Sequence, residues 1–88
     1  MQQPSMALRF TNAASRQLSR LERTTQDRIL EKLEFYCAQE SPLRYAEKLA
    51  DSRFGERRFR IGEYRVLFDA TPDEIVILAV GHRRDIYR

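Results

Sequence analysis

Apolar and charged residues alternate with the two-residue period of a β-strand in the C-terminal half of the chain. Arg58 and Arg60 share one face of such a strand, whereas Phe59 and Ile61 share the other, which is the pattern of a strand with one buried face. A Gly-Glu pair at positions 62–63 follows, and glycine at the first position of a two-residue loop suits a type II′ turn. The pattern predicts a β-hairpin with its arginines on one face.

A second strand is predicted to return over 64–69, and a Thr-Pro-Asp turn at 71–73 leads to a third. The run at 75–80 is apolar on both faces, which is typical of a strand inside a sheet rather than at its edge. We therefore predict three consecutive antiparallel strands, the last of them in an inner position.

The N-terminal half shows the spacing of amphipathic helices. Residues 7–10 are a short strand candidate, and Thr11 or Asn12 can cap a first helix. A second helix is predicted to start near Thr24 with a weak T-x-x-D capping box, and Pro42 is expected to end it, since proline disfavours helix in the preceding residue. The apolar stripe of the second helix consists of Ile29, Leu30, Leu33, Tyr36 and Cys37.

These elements follow one another in the order β-α-α-β-β-β. The predicted fold is α+β, with a small antiparallel sheet of about four strands packed on an N-terminal two-helix hairpin. A connector over 41–55 is expected to hold a short helical turn at 45–50. The 88 residues suffice for a single domain spanning 1–88, and we expect residues 1–6 to be a flexible lead-in.

Arginine dominates the basic residues. Of 16 lysines and arginines only Lys32 and Lys48 are lysines, and the formal net charge is +3. Guanidinium groups bind phosphate through paired hydrogen bonds and keep their charge. From residue 53 onward the arginines stand on strand-like segments and near the C-terminus, which indicates a phosphate-binding surface. For Arg58, Arg60 and Arg65, the alternative is ordinary surface ion pairs with Glu56, Glu63 or Asp69.

Several classes of protein are disfavoured by the sequence. No apolar segment is long enough to cross a bilayer, and neither a basic amphipathic helix nor a secretory signal is present. Cys37 is the only cysteine, so no internal disulfide or thiolate zinc site can form, and we interpret it as a packed core thiol. We expect a cytoplasmic protein with no membrane partner, no metal and no cofactor.

His82 is the only histidine and stands where the apolar third strand gives way to a basic segment. Histidine titrates near pH ~6.5 and can donate or accept a proton. His82 is therefore a candidate acid or base, although a lone histidine is more often structural.

Two segments follow the predicted helical hairpin in the sequence, G-E-Y-R-V-L-F at 62–68 and V-G-H-R-R-D-I-Y-R at 80–88. They are similar to the G-Y-R-hydrophobic strand and the G-x-R…Y ending of the RelE branch of the RelE/ParE superfamily, toxins of type II toxin–antitoxin systems. The resemblance covers almost the whole chain from Ala7 and implies the fold predicted above. It also implies a metal-independent endoribonuclease that cleaves mRNA in the ribosomal A site, where the RNA's own 2′-hydroxyl attacks the adjacent phosphate.

The resemblance implies roles for individual residues. Arg65 and Arg83 correspond to phosphate-stabilising arginines, and Tyr87 to a tyrosine that stacks on or orients a base near the cut, with a core aromatic as the alternative. Arg58 and Arg60 stand where the best-known relatives carry two lysines. Because arginine effectively cannot lose its proton, a lysine-type general base is in doubt here, whereas stabilisation of transition-state charge is retained.

Other members of the family pair a glutamate with a histidine near the C-terminus. Glu47 weakly resembles that glutamate, with a surface helix charge as the alternative, and His82 would be its partner. Three further arginines are expected to bind RNA: Arg57, Arg84 and Arg88.

Two other functions stay open. The sister ParE branch shares the fold but generally lacks the arginine-plus-tyrosine set, and its members poison DNA gyrase without being enzymes. A plain RNA-binding module is the third possibility. In either toxin branch the expected partner is a cognate antitoxin protein, and the nuclease has mRNA and the ribosomal A site as further partners.

Overall fold

Two helices pack on a five-stranded sheet in the computed structural model, which describes residues 6–87 apart from the side chain of Ser52. The helices are α1 (Asn12–Ser19) and α2 (Arg23–Ala38). The strands are β1 (Ala7–Phe10), β2 (Glu47–Lys48), β3 (Arg57–Ile61), β4 (Tyr64–Ala70) and β5 (Glu74–His82). This order confirms the predicted α+β class, with β2 inserted as an additional strand.

The strands lie side by side in the order β1-β5-β4-β3-β2. The predicted antiparallel pairing of β3, β4 and β5 is confirmed, as is the inner position of β5. β1, however, runs parallel to β5, with Leu8 opposite Ile75. The sheet is therefore mixed and has five strands rather than about four. β1 and β5, which are far apart in sequence, pair in the same direction, and the two-residue β2 is too short to show a period.

The helices begin and end close to the predicted positions. Thr11 caps α1, and its Oγ1 accepts a hydrogen bond from the N–H of Ala14 at 3.1 Å. α2 begins one residue earlier than expected and has Glu22 at its N-cap without a side-chain capping bond, so the predicted capping box does not form. α2 also ends at Ala38, ahead of the expected stop at Pro42.

The connector between α2 and β3 differs from the prediction. The expected helical turn over 45–50 is replaced by a 3₁₀ turn at Pro42–Tyr45 followed by β2. Proline at the first position of the turn suits its fixed φ, and β2 then pairs with the outer edge of β3. A second 3₁₀ turn, Ser52–Phe54, precedes β3.

The hydrophobic core lies between the helices and one face of the sheet. Most of the predicted α2 stripe is buried there, and the Tyr36, Phe59 and Phe68 rings stack with centroids 4.6 and 4.5 Å apart. Met6 is also buried, and its N–H donates to the Cys37 carbonyl at 3.4 Å. That part of the expected lead-in therefore packs on the core, whereas residues 1–5 lie outside the described residues.

The hairpin between β3 and β4 has the predicted turn. Gly62 has φ +61° and Glu63 has a negative φ, the combination of a type II′ turn. In the next pair of strands, β4 and β5, Leu67 lies opposite Ala79 and Phe68 opposite Ile77, so that Leu78 is an extra residue in β5. This bulge shifts the alternation of β5, so that Ile75 and Ile77 before it and Val80 after it are all buried in the core. No described helix is long and apolar enough to cross a membrane.

Candidate functional site

The face of the sheet opposite the helices carries the arginines. Phe59 and Val66 are fully buried in the core, and strand alternation therefore directs Arg58, Arg60 and Arg65 to the other face. Arg60 and Arg65 lie directly opposite each other across the strand pair. Like charges in that position repel, so the hairpin presents a concentration of positive charge beside its turn.

An open depression of about 420 Å³ lies over these arginines. The segment after β5 supplies the remaining walls. The lining residues are Arg58, Arg60, Arg65, Arg83, Arg84 and Tyr87. The structure therefore brings together five of the predicted arginines and the predicted tyrosine, and we name this surface the arginine depression.

The segment 83–87 folds back over the sheet instead of continuing β5. The N–H groups of Asp85 and Ile86 donate to the His82 carbonyl at 2.9 and 3.0 Å. Gly81 leaves room for the tail, since a Cβ on Gly81 would lie 3.1 Å from Cδ1 of Ile86. This return is what places Arg83 and Tyr87 beside the hairpin.

Arg65 is the buried cation of the site, with 7% of its surface exposed. Its Nη1 donates to the main-chain carbonyls of Gly62 and Tyr64, both at 2.9 Å. Burial lowers the pKa of Arg65, and the positive charges of Arg60 and Arg58 lower it further. Arg65 nevertheless stays charged. An anion in the depression would offset the energetic cost of its desolvation and of its repulsion by the neighbouring arginines.

Arg58 joins the tail to the edge of the sheet. Its Nη1 donates to the Tyr87 hydroxyl at 2.6 Å, and its Nη2 to Oε2 of Glu47 at 3.4 Å. The bond to Tyr87 is the main cause that raises the pKa of Arg58, against the effect of burial. Its Nε is buried without a hydrogen-bond partner among the described residues. A buried polar atom that stays without a partner costs about 1–3 kcal/mol.

Glu47 bridges two arginines at the rim of the depression. β2 places Glu47 opposite Arg58, and Oε1 of Glu47 lies 3.6 Å from Nε of Arg60. The weakly supported candidate base of the sequence analysis therefore contacts the site, and it does so from a strand rather than from the expected helical turn.

Arg83 is held by the hairpin turn. Its Nε lies 2.6 Å from Oε2 of Glu63, and its main-chain N–H donates to the Glu63 carbonyl at 2.8 Å. The sequence analysis offered Glu63 as a surface ion-pair partner of the strand arginines, whereas Glu63 pairs with Arg83, and half of the Arg83 side chain remains exposed.

Two sequence-predicted residues do not line the depression. His82 contacts Tyr64 edge to face, with ring centroids 5.5 Å apart, and its Nδ1 accepts the N–H of Arg84 at 3.1 Å. By strand alternation His82 shares the face of Val80, on the helical side of the sheet. Arg57 lies on the same face of β3 as Phe59, away from Arg58. Arg88 lies outside the described residues.

Comparison with known proteins identifies the family. A family model described as "ParE toxin of type II toxin-antitoxin system, parDE" matches residues 8–87. The chain belongs to the RelE/ParE toxin superfamily. This toxin is also similar to a chain in the crystal structure of the toxin–antitoxin complex RelBE2 from Mycobacterium tuberculosis, at 32% identity and a TM-score of 0.76, over 92% of this chain and 100% of that one. No curated protein matches the toxin significantly.

The chemistry available in the toxin's depression is that of fixed positive charge and one phenol. Arginine forks bind phosphate oxygens and stabilise negative charge that develops on them. No group of three or more His, Cys, Asp or Glu side chains that could hold a metal occurs within residues 6–87. Of the groups that contact the depression, Glu47 is the one placed to accept a proton between two arginines.

Sequence reasoning missed two contacts of this toxin. Phe54 packs edge to face on the ring of Tyr87, with centroids 5.3 Å apart, and Glu63 anchors Arg83. An aromatic residue shortly before β3 and an acidic residue in an arginine-flanked turn were visible signals, but which partners they meet depends on the path of the tail.

Proposed function

We propose that the toxin is a metal-independent endoribonuclease that cleaves ribosome-bound mRNA. The observation that carries the proposal is the arginine depression, in which five guanidinium groups and the Tyr87 phenol surround a space open to solvent. Its size and charge suit a phosphodiester with an adjacent base, since arginine binds the phosphate and an aromatic ring stacks on the base.

In the proposed reaction the 2′-oxygen attacks the adjacent phosphorus, and the bond from phosphorus to the 5′-oxygen breaks. The products are a 2′,3′-cyclic phosphate and a 5′-hydroxyl, whose proton comes from solvent. That proton balances the one that the 2′-hydroxyl loses, so no water is consumed overall. Negative charge grows on the non-bridging oxygens and on the leaving oxygen during this step. Preorganised donors such as Arg65 and Arg83 would stabilise that charge, and the loss of one such donor costs about 10²–10³ in rate.

A base must take the proton of the 2′-hydroxyl, and arginine cannot act as one. Glu47 is the carboxylate that contacts both Arg58 and Arg60. When those arginines turn to the phosphate, Glu47 is released beside it and becomes available to accept the proton. His82 is left out of this proposal because it lies on the other side of the sheet.

The proposed partner that silences the toxin is a cognate antitoxin. The similar solved structure is described as a toxin–antitoxin complex, and the arginine depression offers acidic side chains of such a partner a target with complementary charge. Co-expression with the neighbouring gene product should give a co-purifying pair without nuclease activity. An active, unbound toxin in the presence of that protein would contradict this part of the proposal.

The nuclease is tested with purified toxin and ribosomes programmed with a defined mRNA, in the presence of EDTA. We expect cuts within the A-site codon and a 2′,3′-cyclic phosphate at the new end. Arg83→Ala should abolish most of the cleavage. Arg9→Ala is the matched control, since Arg9 is an exposed arginine paired with Glu74 on the far edge of the sheet.

A second candidate function is poisoning of DNA gyrase without catalysis, and the description of the matching family model as a ParE toxin favours it. The two functions give opposite results in one pair of assays. If the wild-type toxin blocks supercoiling by gyrase and leaves ribosome-bound mRNA intact, the proposed nuclease is wrong and the toxin is a gyrase poison.

A further inference from the structure

The hairpin turn and the C-terminal tail meet at two points, both made by the same pair of residues. Arg83 donates its main-chain N–H to the Glu63 carbonyl at 2.8 Å, and its Nε lies 2.6 Å from Oε2 of Glu63 in an ion pair. The backbone hydrogen bond fixes the position of Arg83, and the ion pair at Nε restricts the direction of its guanidinium.

The turn that carries Glu63 is also held in place by the side chain of Arg65. Nη1 of Arg65 binds the carbonyls of Gly62 and Tyr64 at 2.9 Å each, one on either side of Glu63. Because the Arg65 side chain is buried, these bonds are largely shielded from competing water. Glu63 thus projects from a rigid backbone, and Arg65 and Arg83 are linked through it.

The contact is made at the Nε side of the guanidinium. Glu63 lies 2.6 Å from Nε, and Arg83 also lines the depression. The two terminal nitrogens form the fork that binds two phosphate oxygens at once. An arginine without this contact would sample many rotamers before it met a phosphate.

We infer that Glu63 is a positioning residue, which holds Arg83 by Nε so that its terminal nitrogens face the phosphate site. This inference rests on the proposed function for the identity of the bound group, whereas the contact itself is independent of it. An ordinary exposed ion pair would have little effect on either stability or activity, and the two readings therefore differ in what removal of Glu63 does.

The experiment compares wild type with Glu63→Ala and Glu63→Gln, and uses Glu74→Ala as the control because Glu74 pairs with Arg9 in a similar exposed contact. The first readout is the ¹⁵N-resolved Nε–H signal of Arg83, which does not depend on any substrate. We expect a protected signal in wild type and Glu74→Ala, its loss in Glu63→Ala, and its partial return in Glu63→Gln, whose amide oxygen still accepts the bond. An unprotected Arg83 signal in wild type overturns the inference.

The second readout is cleavage of ribosome-bound mRNA, with kcat and KM determined separately. Glu63→Ala should lower kcat about 10- to 100-fold, the scale that small misplacements of catalytic groups reach, while KM stays level or falls because a competing carboxylate has gone. Glu63→Gln should recover most of kcat, and Glu74→Ala should match wild type. A protected signal combined with full activity of Glu63→Ala overturns the positioning role.

If wild type cleaves no RNA, the proposed function fails. The same variants are then compared by growth arrest, where only Glu63→Ala should be attenuated. Equal arrest by wild type and Glu63→Ala overturns the inference in that assay.

Discussion

Arg65 and Arg83 correspond to the same kind of residue in the sequence but occupy different environments. Arg65 is buried below the turn and donates two hydrogen bonds to main-chain carbonyls. Arg83 is half exposed and is held by one carboxylate and one backbone bond. The two arginines should therefore differ in how much their removal affects the fold.

Arg65→Ala should lose activity and stability together. Removal of its guanidinium leaves the Gly62 and Tyr64 carbonyls without their donor, which costs about 1–3 kcal/mol of unfolding free energy. Arg83→Ala should lose activity alone. Urea unfolding of both variants checks this, and equal midpoints for the two would contradict the difference in their roles.

Glu47 and His82 are separated by their positions on the two faces of the sheet. Glu47→Gln should lower kcat by about 10²–10⁴, the usual contribution of a general base. His82→Gln should leave the rate unchanged, because His82 faces Tyr64. A rate that falls in His82→Gln would return the histidine to the site.

At the scale of elements, α2 carries two buried groups that resist ionisation. Burial raises the pKa of the Cys37 thiol above its ordinary value of 9.0, and burial with the nearby Tyr45 raises that of the Tyr36 phenol above 10.0. The unfolded chain therefore releases these protons at lower pH than the folded one. The contribution of these two groups to the free energy of unfolding is therefore fully present below about pH 9. It is lost as the pH rises from there towards the pKa values of the folded state.

Urea unfolding between pH 7 and 11 tests this alkaline loss. Cys37→Ala should remove the part that begins near pH 9.0, and Tyr36→Phe the part that begins near 10.0. A loss that is identical in both variants and in wild type would place its origin elsewhere in the chain.

The return of the tail depends on a glycine in β5. A Cβ at Gly81 would lie only 3.1 Å from Cδ1 of Ile86, and a valine would extend that clash. Gly81→Val should therefore detach Ile86 and Tyr87 from the sheet and reduce cleavage by an order of magnitude or more, with a smaller effect on the thermal midpoint. Tryptic cleavage at Arg83 or Arg84 gives a direct measure of detachment. A tail as resistant as in wild type would show that Ile86 adapts.

Local patterns predicted most of these elements, and the discrepancies have physical causes. Alternation in β3 and β4 placed Arg58, Arg60 and Arg65 on one face, because that period is a property of the strand itself. The same rule, extended from Val80 to His82, would have moved the histidine away from the arginines. The contact of Glu63 with Arg83 could not be predicted, because it depends on a reversal of the chain after β5 that no period encodes.

At the scale of the whole molecule, the modest net charge of +3 conceals a local excess. Five arginines line the depression, and Glu47 and Glu63 form ion pairs with three of them. Binding of a non-cleavable single-stranded RNA should therefore weaken steeply with salt. A slope of log K against log salt of about −2 to −3.5 corresponds to three to five neutralised phosphates. A slope near zero would contradict phosphate binding.

The arrangement of the sheet as a whole was less predictable than its strands. The sequence identified β1 and β5 as strands but did not indicate that they are neighbours, since they lie at opposite ends of the chain. Parallel neighbours have no shared turn that could reveal them. β2 was missed because two residues cannot display a period.

The parallel pair of β1 and β5 also determines the sequence of events by which the molecule assembles. β3, β4 and β5 are joined by tight turns, and such local pairs close quickly at small entropic cost. β1 can join only after a loop of nearly the whole chain has closed. We therefore expect the hairpins to be formed in the rate-limiting step and β1 to dock after it. Damage to β1 should then accelerate unfolding more than it slows folding.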